Sequence, residues 1–372
     1  MSAHLSPNTA SETTATKPYL GMIEGFYGQR YSQPERAALY NFLAQHGYSF
    51  YIYAPKEDQH LREHWQDDLL GDAAYVAYLK EASAAAHQAG LDFGVALSPL
   101  GLTANFEAQQ ELVVKRVQEL CELTHCEILG LLFDDMVKDS ESIGALQNKI
   151  IATIEKQLPA HVKHFIICPS YYTDDPVLDR LFGQRPEHYF TDLMAGLPER
   201  VEVFWTGEKV VAPDITPEYL DQVTQLLGRK PFIWDNYPVN DGKKLCPFLF
   251  LNKFKGRTNL QGHATGHAIN PMVQPLLSTL AAVTLPLIYA GKSSTEINAA
   301  HLQQAKALLG KAFAMFLKSD RLPLLTEIGL KNMSERDKAR LLELTYVDDT
   351  PALAEIRDFL QGSKRFDQNI IV

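Results

Sequence analysis

Two adjacent carboxylates, Asp134 and Asp135, close the apolar run Ile128-Leu-Gly-Leu-Leu-Phe133. A short apolar run bounded by charge reads as a buried, parallel strand. Acids at the end of such a strand add nothing to packing. Held side by side and half buried, they raise each other's cost of ionisation, so that one tends to keep its proton. A neutral acid beside an ionised carboxylate is the equipment of general acid–base chemistry. The plainer reading is a helix N-terminus, since Asp caps orphan N–H groups and Lys138-Asp-Ser-Glu-Ser142 leads toward a helical pattern. Perturbed carboxylates also occur in structural networks.

Other polar and aromatic residues fall at or just past the ends of apolar runs. They are Gly25, Lys56, Tyr172, Thr206, Trp234, Asn236 and Asn270. Any one aromatic among Phe26, Tyr27, Tyr172, Trp205, Trp234 and Tyr237 fills a core by default. Clustered around paired acids, they suggest a floor for a sugar ring. Asn236, Asp241 and Asn270 would then read its hydroxyls, although each alone fits a turn or cap. His60-Leu-Arg-Glu-His64 matches a zinc-hydrolase pattern that needs both histidines on one helix face. Five-residue patterns arise by chance, and a solvated loop or helix in a charged segment is the preferred reading. His263 and His267 are also four apart, lack an evident third ligand, and read as loop or strand-end residues. There is no glycine-rich nucleotide loop and no nucleophile elbow.

The elements that must carry these residues alternate. Strand-like runs occupy Tyr19–Gly28, Tyr48–Lys56, Leu91–Leu100, the run ending at Asp134, His164–Tyr172, Val201–Val211, Pro231–Asn236 and part of Gln261–Asn270. Helical patterns occupy Gln33–His46, Ala73–Ala89, Asn105–Leu123, Ile143–Leu158, Thr216–Gly228 and Pro271–Leu285, with Asp175–Leu197 helical in pieces. Eight such repeats in roughly 270 residues predict an α/β fold, a (β/α)8 TIM barrel. The competing architecture is a doubly wound open sheet. A closed barrel gathers all the strand ends on one face, whereas an open sheet would spread them over two halves. That decides for the barrel. The predicted organisation is a disordered Ser/Thr/Ala-rich leader over 1–17, the barrel over 18–290, and a small helical C-terminal region over 291–372. Its helices are expected from Ser294 through Lys318, over Ser334–Leu344 and over Pro351–Gly362.

A net charge of −10 argues against broad nucleic-acid or anionic-membrane binding and favours a neutral or cationic substrate, or a neutral sugar. The four cysteines match no zinc spacing and are too few for a disulfide framework. No run is long enough to cross a membrane, and the N-terminus lacks an apolar signal core, so a cytoplasmic protein with reduced thiols is expected.

The motifs together resemble glycoside hydrolase family 84, the β-N-acetylglucosaminidases that include protein O-GlcNAcase. They are Glu24-Gly-Phe-Tyr-Gly28, Tyr53-Ala-Pro-Lys56, Leu132-Phe-Asp-Asp135, Cys168-Pro-Ser-Tyr-Tyr172, Trp205-Thr-Gly207, Trp234-Asp-Asn236 and Asn270-Pro271, in the family's order. The resemblance implies a (β/α)8 barrel and a retaining, substrate-assisted hydrolysis without cofactor or metal. The substrate's acetamido oxygen attacks the anomeric carbon to give an oxazoline. Asp134 would accept the acetamido N–H, and Asp135 would serve as acid and then base. Gly25, through its carbonyl, and Lys56 would bind sugar hydroxyls. Tyr172 would hydrogen-bond the acetamido oxygen, and Thr206 and Val210 would border its pocket. Trp234 would pack on the sugar or the acetyl methyl. Asn236 would help hold the acetamido group, Asp241 the 4- and 6-hydroxyls, and Asn270 a further hydroxyl.

Tyr171 stands where an acidic residue is common in the family, which touches the pocket rim. Counterparts of the extra domains of many relatives are not expected, and dimerisation through a helical stalk is not carried over. The expected partner is a GlcNAc-bearing glycoprotein, glycopeptide or oligosaccharide, and no sequence feature dictates an oligomeric state. The rival readings are the same chemistry on hyaluronan, chitin or peptidoglycan fragments, a non-catalytic sugar-binding barrel, and a zinc hydrolase using His60 and His64.

Overall fold

Apolar runs that must be buried on both faces become the staves of a closed parallel barrel. The computed structural model describes residues 18–316 and 321–363, so the leader over 1–17 and the end of the helix expected through Lys318 lie outside the described residues. The strands are β1 (Leu20–Glu24), β2 (Phe50–Tyr53), β3 (Asp92–Leu97), β4 (Ile128–Leu132), β5 (His164–Cys168), β6 (Val201–Trp205), β7 (Phe232–Asp235) and β8 (Gly266–Ile269). They pair in sequence order, and β8 closes on β1 with Gly21 opposite Ala268. The outer helices are α1 (Gln33–Gln45), α2 (Ala73–Gln88), α3 (Leu102–Thr124), α4 (Ile143–Glu155), α5 (Val177–Phe182), α6 (Tyr189–Met194), α7 (Pro217–Leu227), α8 (Gly242–Leu245), α9 (Pro275–Ala282) and α10 (Leu285–Tyr289). No helix of the described residues is long and apolar enough to cross a membrane.

The alternation is as expected, but several boundaries move. The helix expected from Pro271 begins at Pro275. The N–H groups of Met272 and Val273 are taken by Ser278 Oγ and Asn240 Oδ1, each at 3.0 Å, which holds that stretch as a loop. α3 starts at Leu102, after the left-handed Gly101, and is non-helical at Asn105 (φ −130°). His267 is not a strand-end residue. It lies inside β8, fully buried, with its Nε2 3.1 Å from Asp235 Oδ2.

The C-terminal helices share a second core with the barrel. Leu249, Leu251 and Met272, from the segments flanking β8, meet Leu277 and Leu280 of α9 and Leu341, Ile356 and Phe359 beyond it. Glu355 accepts the N–H groups of Leu276 and Leu277 at 2.9 Å each, placing a carboxylate at the N-terminus of α9. The tail is thereby fastened to the barrel.

At the end of β7, Asp235 receives both arms of Arg257 at 2.8 Å. Arg257 holds its carboxyl at about 2 against the pull of burial, with His267 adding to the effect. Arg257→Met should therefore destabilise the fold by about 3–5 kcal/mol, because a buried carboxylate would lose its charged partner. The folded-state pKa of Asp235 is depressed, so this stabilisation is present above the ordinary carboxylate pKa and is lost as pH falls from about 4 toward 2. Urea denaturation of wild type and variant at pH 7 and pH 3 checks both statements: the difference should be largest at pH 7 and shrink at pH 3.

Candidate active site

Successive residues of a strand point to opposite faces, yet Asp134 and Asp135 both line one cavity of about 390 Å³ at the C-terminal mouth of the barrel. The backbone explains it. Asp135 is left-handed (φ 57°), so the chain turns at the end of β4 and brings the second carboxyl to the same side. The pair follows a strand and a turn. It does not cap α4, whose N-cap is Ser142, without a side-chain cap bond.

The two carboxyls have different surroundings. Asp134 is buried, and its Oδ2 accepts from Lys56 Nζ at 2.5 Å. Its Oδ1 is buried and has no hydrogen-bond partner among the described residues. Lys56 follows Ala54-Pro55 at the end of β2, and its Nζ lies 5.7 Å from the centroid of the Trp234 ring. Asp135 is half-buried and receives two phenols: Tyr172 OH to Oδ1 at 2.9 Å and Tyr27 OH to Oδ2 at 3.0 Å. Burial, and after it the charge of Asp134, pushes the Asp135 carboxyl above the usual carboxylate range, against Lys56, Arg62 and Tyr172. A third carboxyl, Asp241, accepts the Tyr27 N–H at 2.8 Å and is pushed up to about 6, chiefly by burial, with the charge of Asp135 adding to it.

The remaining wall is a hydrogen-bonded frame. Asn236 Oδ1 accepts from Trp234 Nε1 and Asn270 Nδ2, each at 2.9 Å, and Asn236 Nδ2 donates to Val210 O at 2.8 Å. Asn270 Oδ1 stays buried without a partner among the described residues. Thr206 Oγ1 donates to Lys209 O at 3.1 Å and so fixes the turn that presents Val210. The Trp234 ring packs edge-on to Phe204, 5.1 Å between centroids. It also lies so close to Gly25 that a Cβ there would sit 2.4 Å from Trp234 Cζ2. Only glycine leaves room for the indole at this point.

All eleven candidate residues border this cavity: Gly25, Lys56, Asp134, Asp135, Tyr172, Thr206, Val210, Trp234, Asn236, Asp241 and Asn270. Sequence reasoning noticed Tyr27 only as an aromatic and missed its bond to Asp135. It also missed the outer wall, where Val177, Leu178, Leu181 and Phe182 of α5 face the mouth, with Lys243 and Lys244 of α8 nearby. The pieces of helix after Tyr172 were the available signal. The pattern at His60 does not form the shared helix face that a zinc site of that type needs. Gln59–Leu61 is a 3-10 turn, His60 pairs with Asp72 at 3.2 Å, and His64 pairs with Asp67 at 3.5 Å. Among the described residues, no group of three or more His, Cys, Asp or Glu side chains is placed to hold a metal ion.

Comparison with known proteins bears on the family and the fold. A family model described as beta-N-acetylglucosaminidase matches residues 20–317. The protein O-GlcNAcases of Rattus norvegicus and Mus musculus are 29% and 30% identical over 296 and 278 residues, covering 77% and 72% of this chain. Those alignments take in 31% and 30% of the relatives, so the chain corresponds to about a third of their length. A mutant O-GlcNAc hydrolase of Thermobaculum terrenum shares the fold, with a TM-score of 0.73 at 24% identity over 92% of this chain and 81% of that one.

Proposed function

Because the chain belongs to the β-N-acetylglucosaminidase family, a family of glycoside hydrolases, we propose that it is a retaining exo-β-N-acetylglucosaminidase whose nucleophile is the substrate's own acetamido oxygen. The observation that carries this reading is the asymmetry of the adjacent pair: Asp134 is ion-paired with one oxygen unpartnered, while Asp135 is held by two phenols with its carboxyl pushed toward the neutral form. Most retaining enzymes place their acid and nucleophile on opposite sides of the scissile bond, about 5–5.5 Å apart. Neighbouring residues, with Cα atoms about 3.8 Å apart, are better placed on one side of the sugar. Substrate assistance needs no carboxylate across the ring.

In the first step, Asp134 Oδ1 accepts the acetamido N–H while Lys56 holds Oδ2 and balances the charge. The acetamido oxygen bonds to C1, the C1–O bond to the leaving group breaks, and Asp135 gives its proton to the departing oxygen. In the second step, Asp135 takes a proton from water, the water oxygen bonds to C1, and the ring C1–O bond of the oxazoline, still protonated at nitrogen and held there by Asp134, breaks to restore the acetamide. Two inversions give retention. Tyr172 turns from Asp135 to the acetamido oxygen as that atom becomes nucleophilic. Thr206 and Val210 border the acetyl group, Asn236 helps hold it, and Trp234 packs on the sugar. The Gly25 carbonyl, Lys56, Asp241 and the free Oδ1 of Asn270 take hydroxyls.

The physiological substrate we propose is O-GlcNAc on Ser or Thr of a peptide or protein. The apolar outer wall of α5, beside Val210 and Val211, supports a peptide aglycone over a polyhydroxylated chain. The buried free thiols Cys121, Cys126, Cys168 and Cys246 fit a cytoplasmic setting. The test is a substrate panel of aryl β-GlcNAc, aryl β-GalNAc, an O-GlcNAc peptide and hyaluronan oligosaccharides. GlcNAc should be released from the first and the third. No turnover of aryl β-GlcNAc would end the catalytic reading, and hyaluronan cleaved faster than the peptide would end the choice of aglycone.

A further inference from the structure

The segment after β2 supplies Lys56 and then runs on through the 3-10 turn to Arg62, a residue with no part in the steps above. Arg62 is 9% exposed, and its backbone is tied to the segment after β3: Leu61 O accepts from Ser98 N at 2.8 Å and Arg62 O from Leu100 N at 3.3 Å. A buried guanidinium ordinarily meets a carboxylate. This one donates Nη1 to Ser98 Oγ at 2.8 Å and Nη2 to the main-chain carbonyl of Asp135 at 3.3 Å. Its Cζ stands 5.9 Å from the centroid of the Tyr27 ring, the same tyrosine whose hydroxyl holds Asp135 Oδ2. Thus one side chain touches the left-handed peptide that aims the carboxyl and also the ring that steadies it.

We propose that Arg62 is a positioning residue for the acid: its guanidinium clamps the Asp135 carbonyl and braces Tyr27, so that the Asp135 carboxyl is held toward the departing oxygen. The inference rests on the acid role of Asp135 given above. Asp visits the left-handed region more readily than most residues, and the Arg62–Asp135 contact helps to fix it there. The guanidinium also acts as a fixed cation toward the acid. Asp135 is faced by Asp134 after β4, Lys56 and Arg62 after β2, Tyr27 after β1, Cys168 at the end of β5 and Tyr172 after it, and Asp241 after β7. Of these, Lys56 is already committed to Asp134 Oδ2 at 2.5 Å. As Asp135 loses its proton to the leaving group, Arg62 is the cation whose charge is not engaged by a carboxylate contact.

Arg62→Gln and Arg62→Lys separate the two contributions. Both are compared with wild type and with Asp135→Ala on phenyl and 2,4-dinitrophenyl β-GlcNAc across pH, with thermal melts to confirm folding. In Arg62→Gln, kcat/KM on the phenyl glycoside should fall about 10²-fold, and on the dinitrophenyl glycoside less than about tenfold. The alkaline limb on the phenyl glycoside should move up by about one pH unit, since a cation facing the acid is gone. Arg62→Lys keeps the charge but cannot bridge Ser98 and the Asp135 carbonyl with a planar fork. Its alkaline limb should stay in place while the phenyl rate still drops. Equal losses on both glycosides with an unmoved limb in Arg62→Gln, or a wild-type phenyl rate in Arg62→Lys, would overturn the inference. Should Arg62→Gln not fold, the Lys variant alone decides on the phenyl rate. Equal losses on both glycosides in Asp135→Ala would instead overturn the acid assignment on which the positioning role depends.

Discussion

Asp135→Ala should lose about 10²–10⁴-fold in kcat/KM on phenyl β-GlcNAc or an O-GlcNAc peptide, yet remain within about tenfold of wild type on the 2,4-dinitrophenyl glycoside. A serine or phenol leaving group departs as a strong base and needs a proton in the transition state. Dinitrophenolate departs as a stable anion and needs none. The carboxyl that supplies the proton has to keep it at working pH, and burial together with the charge of Asp134 pushes Asp135 in that direction. The same residue must then deprotonate water. On the activated substrate its loss should therefore move the slow step to oxazoline opening, seen as a burst of dinitrophenol followed by slow turnover. A nucleophile that needs no base, such as azide, should restore that turnover. Equal losses on both glycosides, with no burst and no rescue, would show that Asp135 neither gives nor takes the proton.

The parts of the molecule legible in sequence are those governed by local pattern. Strands buried on both faces have to be apolar runs, so β4 stands out as Ile128–Leu132. Their ends are less legible, because the cavity wall is apolar too: Val210 and Val211 continue the pattern of β6, which stops at Trp205. The start of α9 was displaced by Asn240 and Ser278, which hold Val273 and Met272 from 33 and 6 residues away.

The candidate site follows the same division. Residues at strand ends could be named, because closure of a barrel sends every such position to one mouth. The bonds among them could not be named, since Lys56 meets Asp134 across 78 residues and Tyr27 meets Asp135 across 108. Arg62 was hidden within a pattern read for its two histidines, and its chemistry became visible only when the turn after β2 was laid against the end of β4.

Asp134→Asn should lower kcat about 10²–10³-fold on the phenyl and dinitrophenyl glycosides alike, the magnitude expected for removing one preorganised group aimed at developing charge. The reason lies in how the two oxygens of Asp134 are used. Oδ2 is engaged by Lys56, and Oδ1 is the unpartnered acceptor. Asparagine has one acceptor and one donor. If its oxygen keeps Lys56, its NH2 faces the acetamido N–H, donor against donor. If its oxygen turns to the acetamido group, its NH2 faces the ammonium of a buried lysine. Neither arrangement supplies the negative charge that the forming oxazoline, with its positive character, calls for. Because the acetamido oxygen attacks C1 in the same step that expels the leaving group, whichever it is, the loss should appear on both aglycones, the opposite of the Asp135 signature. An N-acetyl series of rising fluorine content makes the nucleophile weaker, and wild-type rates should fall steadily along it. Near-normal rates of Asp134→Asn on both glycosides, or a wild-type rate indifferent to fluorination, would sink substrate assistance and return the search for a nucleophile to the protein.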